Sequence, residues 1–532
     1  MPPKAEPGQE GPARINPGPR AAHETKLKLA IPAQHASRVW QVLARHPREK
    51  LSTRKLFTVY YDTPDALLAR HGVALGLRRQ AGRWVQTVVT GGDAACGMHR
   101  RETYKTGVAA QLVSFSALVE AGLGDLIEKK SVRDSFDAVF TADFSRTAAL
   151  LLPGRENSVY VTLDRGEIRA GSLRDAIVEI GLELKAGVSS CLFELASQIA
   201  EQLPVRLENR SKAQRGDALV SGIPDHPVKA SAAHFGSDDS LDDAITVLAC
   251  HCLAHLQANE TGLLANRDPE YLHQTRVALR RLRSAFRLFS DTGIRGAFAP
   301  LREELKQISQ TFGQARNWDV LVAGYLKEAA GAAPDDAAMA TLLRRAQARR
   351  RNAKREALAT VAAPRYTLLL IQLRAMLDSR AWLQDESRLP ALPTLPAFAR
   401  KKLRRLHRKI LERSRDLQPL RFEDLHRLRI DLKRLRDAMD FFRPLALQNK
   451  SSALRELVEL QDLLGQINDA ATAGPLLDNI AGPDPSPAFQ QAVGFARGWM
   501  ARDTASNMKS LAKTWKAFLH RDFGWHQPPL ET

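Results

Sequence analysis

Acid is in deficit along this chain. Its 532 residues hold 59 Asp and Glu against 78 Lys and Arg, a formal net charge of +19 and a pI near 10.0. Such an excess favours a polyanionic partner: nucleic acid, an anionic membrane surface or another polyanion. Aromatic side chains are scarce at 6%, which argues against single-strand binding by base stacking. No run of about 18 apolar residues occurs, the length a membrane-spanning helix needs, so a soluble protein is expected; among the polyanions, a membrane is not the expected partner. Cysteine is down to four scattered residues, Cys96, Cys191, Cys250 and Cys252, which fits a reducing, cytoplasmic compartment. Residues 1–22 are rich in Pro, Gly and charge and lack an apolar core, so they read as a disordered tail.

The charge that is present is uneven. Residues 1–240 carry 32 basic and 27 acidic side chains and residues 241–532 carry 46 and 32, so the excess is +5 and then +14. The polyanion site is expected mainly in the second half. There "HQTRVALRRLRSAFRLF", His273 to Phe289, holds one His and five Arg without an acid. Like charges at i,i+4 repel, so the compensating charge should come from outside the stretch.

Two periodicities divide the chain. From 23 to 222 apolar and ionisable residues alternate. In "HETKLKLAI" Thr25, Leu27, Leu29 and Ile31 oppose Glu24, Lys26 and Lys28; "VALGLRR" and "VEIGLEL" follow the same rule. Alternation fits a sheet with one wet face or a closed barrel with a charged lumen. Residues 223–237 lie within "SGIPDHPVKASAAHFGSDDS", a linker by composition. From 238 to 525 the period becomes helical. The whole therefore reads as an α+β multidomain protein. "CHCLAH", with Cys250, His251, Cys252 and His255, contains metal-binding residue types but sits in an apolar helical run with no second ligand cluster; helix packing is the expectation.

The helical half repeats. "LHQTRVALRRLRSAFRLF" at 272–289 returns as "LHRLRIDLKRLRDAMDFF" at 425–442, and "GQARNWD" after the first copy answers "GQINDAA" after the second. Two similar helical bundles related by a pseudo-twofold axis are expected, over about 240–384 and 397–525. At about 100° per residue, His273, Arg276, Arg280, Arg283 and Arg287 share one stripe, with Leu279, Leu282, Phe286 and Phe289 beside it. His426, Arg429, Lys433 and Arg436 repeat the stripe. One face packs; the other presents a row of cations matched to a linear polyanion, since Arg offers phosphate a two-pronged donor. A denser run, "RRAQARRRNAKR" from Arg344 to Arg355, spreads its charges around its helix and is not expected to form such a cradle.

These motifs resemble two known families. The helical half is similar to the CHAD domain, through "HQTRVALRRLRSAFRLF", "GQARNWDV", "LHRLRIDLKRLR" and "LQDLLGQIND". That resemblance implies two four-helix bundles with basic inner surfaces that bind inorganic polyphosphate, need no cofactor to do so, and associate with polyphosphate granules. No specific nucleic acid is expected. The first half resembles the CYTH, or triphosphate tunnel, family through "YYDTP", "LDRGEIRAG" and "RSKAQRG". It implies an antiparallel eight-stranded β-barrel, with glutamates holding a divalent metal such as Mg or Mn and Lys or Arg holding triphosphate or phosphate. Carried over residue by residue, Lys28, Arg78, Arg146 and Lys212 fall at phosphate positions and Glu24, Glu179 and Glu183 at metal positions, with Asp164 nearby in the pattern. Four positions depart from the family: Lys26, Gly76, Val89 and Gly181 stand where functional side chains are expected. The first half therefore reads as a degenerate tunnel and the whole as a polyphosphate-binding protein; the alternative is a metal-dependent triphosphatase fed by the helical half.

Overall fold

The computed structural model describes residues 22–519 apart from positions 81, 91–93, 155, 223–225, 266–267, 385–391, 415–421 and 446–450. Residues 1–21 of the expected tail thus lie outside the described residues. By contacts the chain forms two units, one of residues 1–188 with 207–223 and the other of 189–206 with 224–532.

The first unit is a closed antiparallel barrel of eight strands: β1 (Ala22–Ala30), β2 (Ser52–Asp62), β3 (Ala74–Gln80), β4 (Arg83–Thr90), β5 (Met98–Val108), β6 (Asp137–Leu151), β7 (Ser158–Ala170) and β8 (Leu173–Ala186). Neighbours run β1-β8-β7-β6-β2-β3-β4-β5, and β5 pairs back onto β1. Closure leaves no open edge among these strands. It also decides between the two sequence readings: the ionisable face is the inner one. On β1, Lys26 lies opposite His99 of β5 and Glu183 of β8, and Lys28 opposite Gly181. The alternate residues Leu27 and Leu29 are fully buried on the other face.

Helix α1 (Ser190–Gln202) groups with the second unit although it follows β8 directly, whereas the strand-rich pattern assigned it to the first. Helix α2 (Lys212–Ser221) returns to the barrel. Its first turn is fixed by a reciprocal cap, with Ser211 accepting from the Gln214 amide and Gln214 from that of Ser211, so Lys212 is delivered at a defined place.

The second unit is helical: α3 (Leu241–Ala258), α4 (Pro269–Leu288), α5 (Ile294–Val320), α6 (Ala337–Ala362), α7 (Pro364–Ser379), α8 (Leu395–Ser414), α9 (Phe422–Phe441), α10 (Ser451–Ala481) and α11 (Pro487–Leu519). The four-helix order of α3–α6 recurs in α8–α11. Equivalent helices pack on each other, α4 on α9, α5 on α10 and α6 on α11, as a twofold relation between the copies gives. At their meeting Phe289, Phe398 and Phe442 bring their rings within 5.1–6.3 Å. No described helix is long and apolar enough to cross a membrane.

The expected linker is docked rather than free. Val228 gives its amide to Asn259 and its carbonyl to His255 and Asn259, and Ser231 meets His251. These bonds, together with a 2.8 Å contact from Arg374 to Cys250, account for the "CHCLAH" group on α3 as packing.

Candidate functional site

In the barrel, the strand register gathers charged side chains from strands distant in sequence. Arg146 grips Asp164 with two bonds of 2.7 Å. Lys212, arriving on α2, donates to Asp164 at 2.7 Å and also to Glu179. Arg78, Arg146 and Lys212 converge on the Phe144 ring from 4.6–6.0 Å. The cations hold the Asp164 carboxyl far below the ordinary carboxylate range and Glu179 at about 2, against the opposing effect of burial. Of the four expected phosphate-binding residues, Arg146 and Lys212 are therefore committed to carboxylates. Lys28 and Arg78 are not: Arg78 donates to the Thr58 hydroxyl at 2.9 Å.

The expected metal set is not assembled. Glu24 is taken by Lys105 at 3.2 Å, Glu179 by Lys212, and Glu183 by Lys185. Among the described residues no three His, Cys, Asp or Glu side chains are grouped to hold a metal ion. A lysine occupies their midst. A Cβ placed on Gly181 would lie 2.4 Å from Lys26 Cε and 2.9 Å from its Nζ, so Lys26 fills the volume that a side chain at 181 would need. Burial, then Arg146 and Lys28, pushes the Lys26 ammonium down to about 7; burial also lowers Lys28 to about 8. Divalent metals want hard anionic oxygens; this arrangement offers carboxylates already held by ammonium and guanidinium groups. The residues present do not fit a divalent ion. Gly76 lies opposite Tyr60, whose ring stacks on Phe140 at 4.6 Å; a Cβ at 76 would already be 3.0 Å from Thr58 Cγ2.

In the helical unit α4 is started by Asp268, whose side chain caps the Glu270 amide, with Pro269 at its first position. Leu272, Leu279, Leu282 and Phe286 are buried, which turns the neighbouring stripe toward α9. The two stripes meet. Arg276 senses Arg280, Arg429 and Arg316; Lys433 senses Arg429, Arg276 and Arg280. Burial and these neighbours bring Arg276 down to about 10 and Lys433 to about 7. Asp469, one-third exposed and 3.8 Å from Arg429, is an acid that acts on Arg276, Arg429 and Lys433 together.

The remaining stripe members separate. Arg280 holds both oxygens of buried Asp437 at 2.7 and 2.9 Å, so much of its charge is spent inside the protein. Arg283 faces Glu303, and Arg436 donates to Gln461 at 3.0 Å. Arg287 borders a cavity of about 250 Å³ that also takes Lys402, Arg405, Lys409 and Arg434. His426 donates from Nδ1 to Asn468 Oδ1 at 2.7 Å. His273 is kept below its ordinary range by burial and Arg316, so it charges only in more acid solution. Arg316 was missed as a site residue, although it stands in the repeated "GQARNWD" element. Lys402, Arg405 and Lys409 left no such mark, because α8 shows only a generally basic pattern; Arg434 lies on α9 within the repeated stretch, beside the stripe and not in it.

Comparison with known proteins places these units. Residues 22–216 match the model of the CYTH domain and residues 248–478 that of the CHAD domain. The "Inorganic triphosphatase" of Haemophilus influenzae is 30% identical over 199 residues, covering 37% of this chain and 55% of that protein. The chain thus spans about half the length of that relative. Among solved structures, the CHAD domain from the plant Ricinus communis is 30% identical, covering 56% of this chain and 98% of its own, with a TM-score of 0.49. HpAC1 from Hippeastrum, described as having a dominant triphosphatase activity, is 19% identical over 38% of this chain and 98% of its own, with a TM-score of 0.26.

Proposed function

From a chain that joins a CYTH domain to a CHAD domain, we propose an inorganic polyphosphate-binding protein whose helical unit holds the polymer and whose barrel does not hydrolyse it. One observation carries the reading. Arg276, Arg316, Arg429 and Lys433 gather around Asp469, and the Lys433 ammonium is destabilised by burial and then by Arg429, Arg276 and Arg280. Holding uncompensated charge together costs folding free energy, and a linear anion with closely spaced charges relieves it. Arg276, Arg316, Arg429 and Lys433 are the proposed ligands, with His273 and His426 at the same level of the two repeats and Arg280 supplying its remaining donors. Arg283, Arg287 and Arg436 are proposed to extend the track. Cytoplasmic residence at polyphosphate granules follows as part of the same proposal.

Isothermal titration with long-chain polyphosphate tests it. Arg276→Gln with Arg429→Gln and Lys433→Gln should weaken binding at least tenfold, about 1.4 kcal/mol. Arg349→Gln with Arg351→Gln is the control, since both side chains are exposed; Arg350 is left intact because it pairs with buried Asp319 at 2.6 Å. Equal losses in the two variants would mean that generic basicity suffices.

The relative in Haemophilus influenzae supports a second reading, a Mg- or Mn-dependent triphosphatase acting on triphosphate or polyphosphate ends. The seating of Lys26 over Gly181 argues against it. Phosphate release from tripolyphosphate with Mg²⁺ or Mn²⁺ decides: turnover above about 1 s⁻¹, the low end of ordinary enzymes, refutes the binding-only barrel.

A further inference from the structure

The barrel keeps a set of cations that its own carboxylates do not neutralise. Glu24, Glu179, Glu183 and Asp164 are engaged by Lys105, Lys212, Lys185 and Arg146. Among the described residues the side chains of Lys26 and Lys28 have no ion-pair or hydrogen-bond partner, Arg78 donates to a hydroxyl and lies over the Phe144 ring, and Arg101 reaches the Gln214 side chain at 3.2 Å. All four remain partly accessible to solvent, although Lys26 and Lys28 point inward on β1. The lumen therefore carries positive charge at these groups that no ion pair matches.

Lys26 and Gly181 are two halves of one exchange. On the inner face Lys26 on β1 and Gly181 on β8 stand where the resemblance to the tunnel family implies acids. The structure places the new lysine's stem in the space the missing side chain at 181 vacates, with Thr162 Oγ1 bounding it, 2.7 Å from where a Cβ on residue 181 would be. A metal held by glutamates brings positive charge to the lumen only after it binds; a lysine brings it permanently and covalently. An ammonium donates up to three hydrogen bonds to phosphate oxygens. It does not coordinate and acidify a water as a metal does. The exchange thus preserves attraction for an anion and removes the means of cleaving it.

We propose that the barrel lumen is a metal-independent receptor for a short phosphoanhydride anion, with the Lys26 ammonium standing in for the divalent cation and Lys28, Arg78 and Arg101 completing the donor set. The proposal rests on the reading of the barrel as non-hydrolytic and is independent of the helical cluster.

The test is calorimetric titration of the full-length protein with inorganic tripolyphosphate in the presence of a chelator, then with Mg²⁺. Saturable binding is expected in the chelator and should not tighten with the metal. Lys26→Met should weaken it at least tenfold without lowering the melting temperature, because it removes a cation from beside Lys28, Arg146 and Lys212. Gly181→Ala approaches the same point from the opposite strand: its Cβ displaces the ammonium, so affinity should fall while Lys26 is still present. Binding that requires a divalent ion, or that Lys26→Met leaves unchanged, overturns the proposal. The variant lacking Arg276, Arg429 and Lys433 should retain tripolyphosphate binding while losing the long polymer. If it loses tripolyphosphate instead, the short anion belongs to the helical cluster, and the lumen proposal falls while the polyphosphate reading stands. Phosphate release in Mg²⁺ would refute the non-hydrolytic barrel itself.

Discussion

Lys433 should make polyphosphate binding depend on pH in the neutral-to-alkaline range, where arginine does not titrate. Burial, Arg429, Arg276 and Arg280 hold its ammonium at about 7, and Asp469 offsets them only in part. A polyanion laid across the cluster reverses the balance and draws the group back toward the ordinary lysine range. Free protein above pH 7 must then take up a proton in order to bind. With a free-state pKa of about 7, affinity relative to its acid limit falls by a factor of about 2 at pH 7, about 10 at pH 8 and about 100 at pH 9, by proton linkage. The protein's own stability moves in the opposite direction. The folded-state pKa lies below the unfolded one, so the unfolded chain binds more protons between about pH 7 and 10.5, and this group's penalty on folding is relieved as pH rises through that window. Titration with long-chain polyphosphate at fixed ionic strength, from pH 6 to pH 9, measures the slope. Repeating it at pH 8 in buffers of different ionisation enthalpy should count about one proton taken up. Lys433→Arg, charged throughout, should flatten this part of the curve, whatever Lys26 and Lys28 contribute. A flat wild-type profile, or a slope that Lys433→Arg does not reduce, refutes the reasoning. A histidine ordinarily becomes charged below about pH 6.5; for His273, burial and Arg316 move that step to more acid solution.

Arg276 and Arg280 should separate affinity from stability. Arg276→Gln should weaken polyphosphate binding with little loss of stability, whereas Arg280→Gln strands buried Asp437 and should cost about 3–5 kcal/mol in urea denaturation, the range for breaking a buried ion pair. In the barrel, Asp164→Asn leaves Arg146 and Lys212 without their shared carboxylate and should cost a similar amount, followed by circular dichroism of the strand signal. The carboxylates of Asp164 and Glu179 are depressed in the folded state, so their contribution is present above the ordinary carboxylate range and should disappear as pH falls from about 4 toward 2.

Much of the architecture was legible because periodicity reports burial. Alternation along β1 and β8 marked one ionisable face, and the offset copies at 272–289 and 425–442 marked the two bundles. Alternation could not say whether that face looked into a lumen, because closure depends on β5 pairing with β1, a contact between segments about 75 residues apart in the chain. The stripes were legible as rows on single helices, yet not how they divide. Arg280 is turned inward by Asp437, which lies 157 residues away in sequence. Lys26 and Gly181 each read as a loss; only their contact makes them one exchange.

The count of arginines on a helix face therefore overstates the site, and the position of carboxylates corrects it. Arg146, Arg280, Arg350 and Lys212 each meet a buried acid at 2.6–2.7 Å, and these pairs lock strands or helices together. Arg276, Lys433, Lys26 and Lys28 belong to the same residue classes but are depressed by burial and by like charge. Folding alone does not favour that arrangement, since an apolar side chain of similar length would pack there without the electrostatic cost. Two chemically distinct scaffolds, a barrel lumen and a helix seam, each contain such a group. In both, the cations nearest it are arranged so that several can address one ligand at once. That placement, more than the net charge of +19, suits an anion with several charges close together.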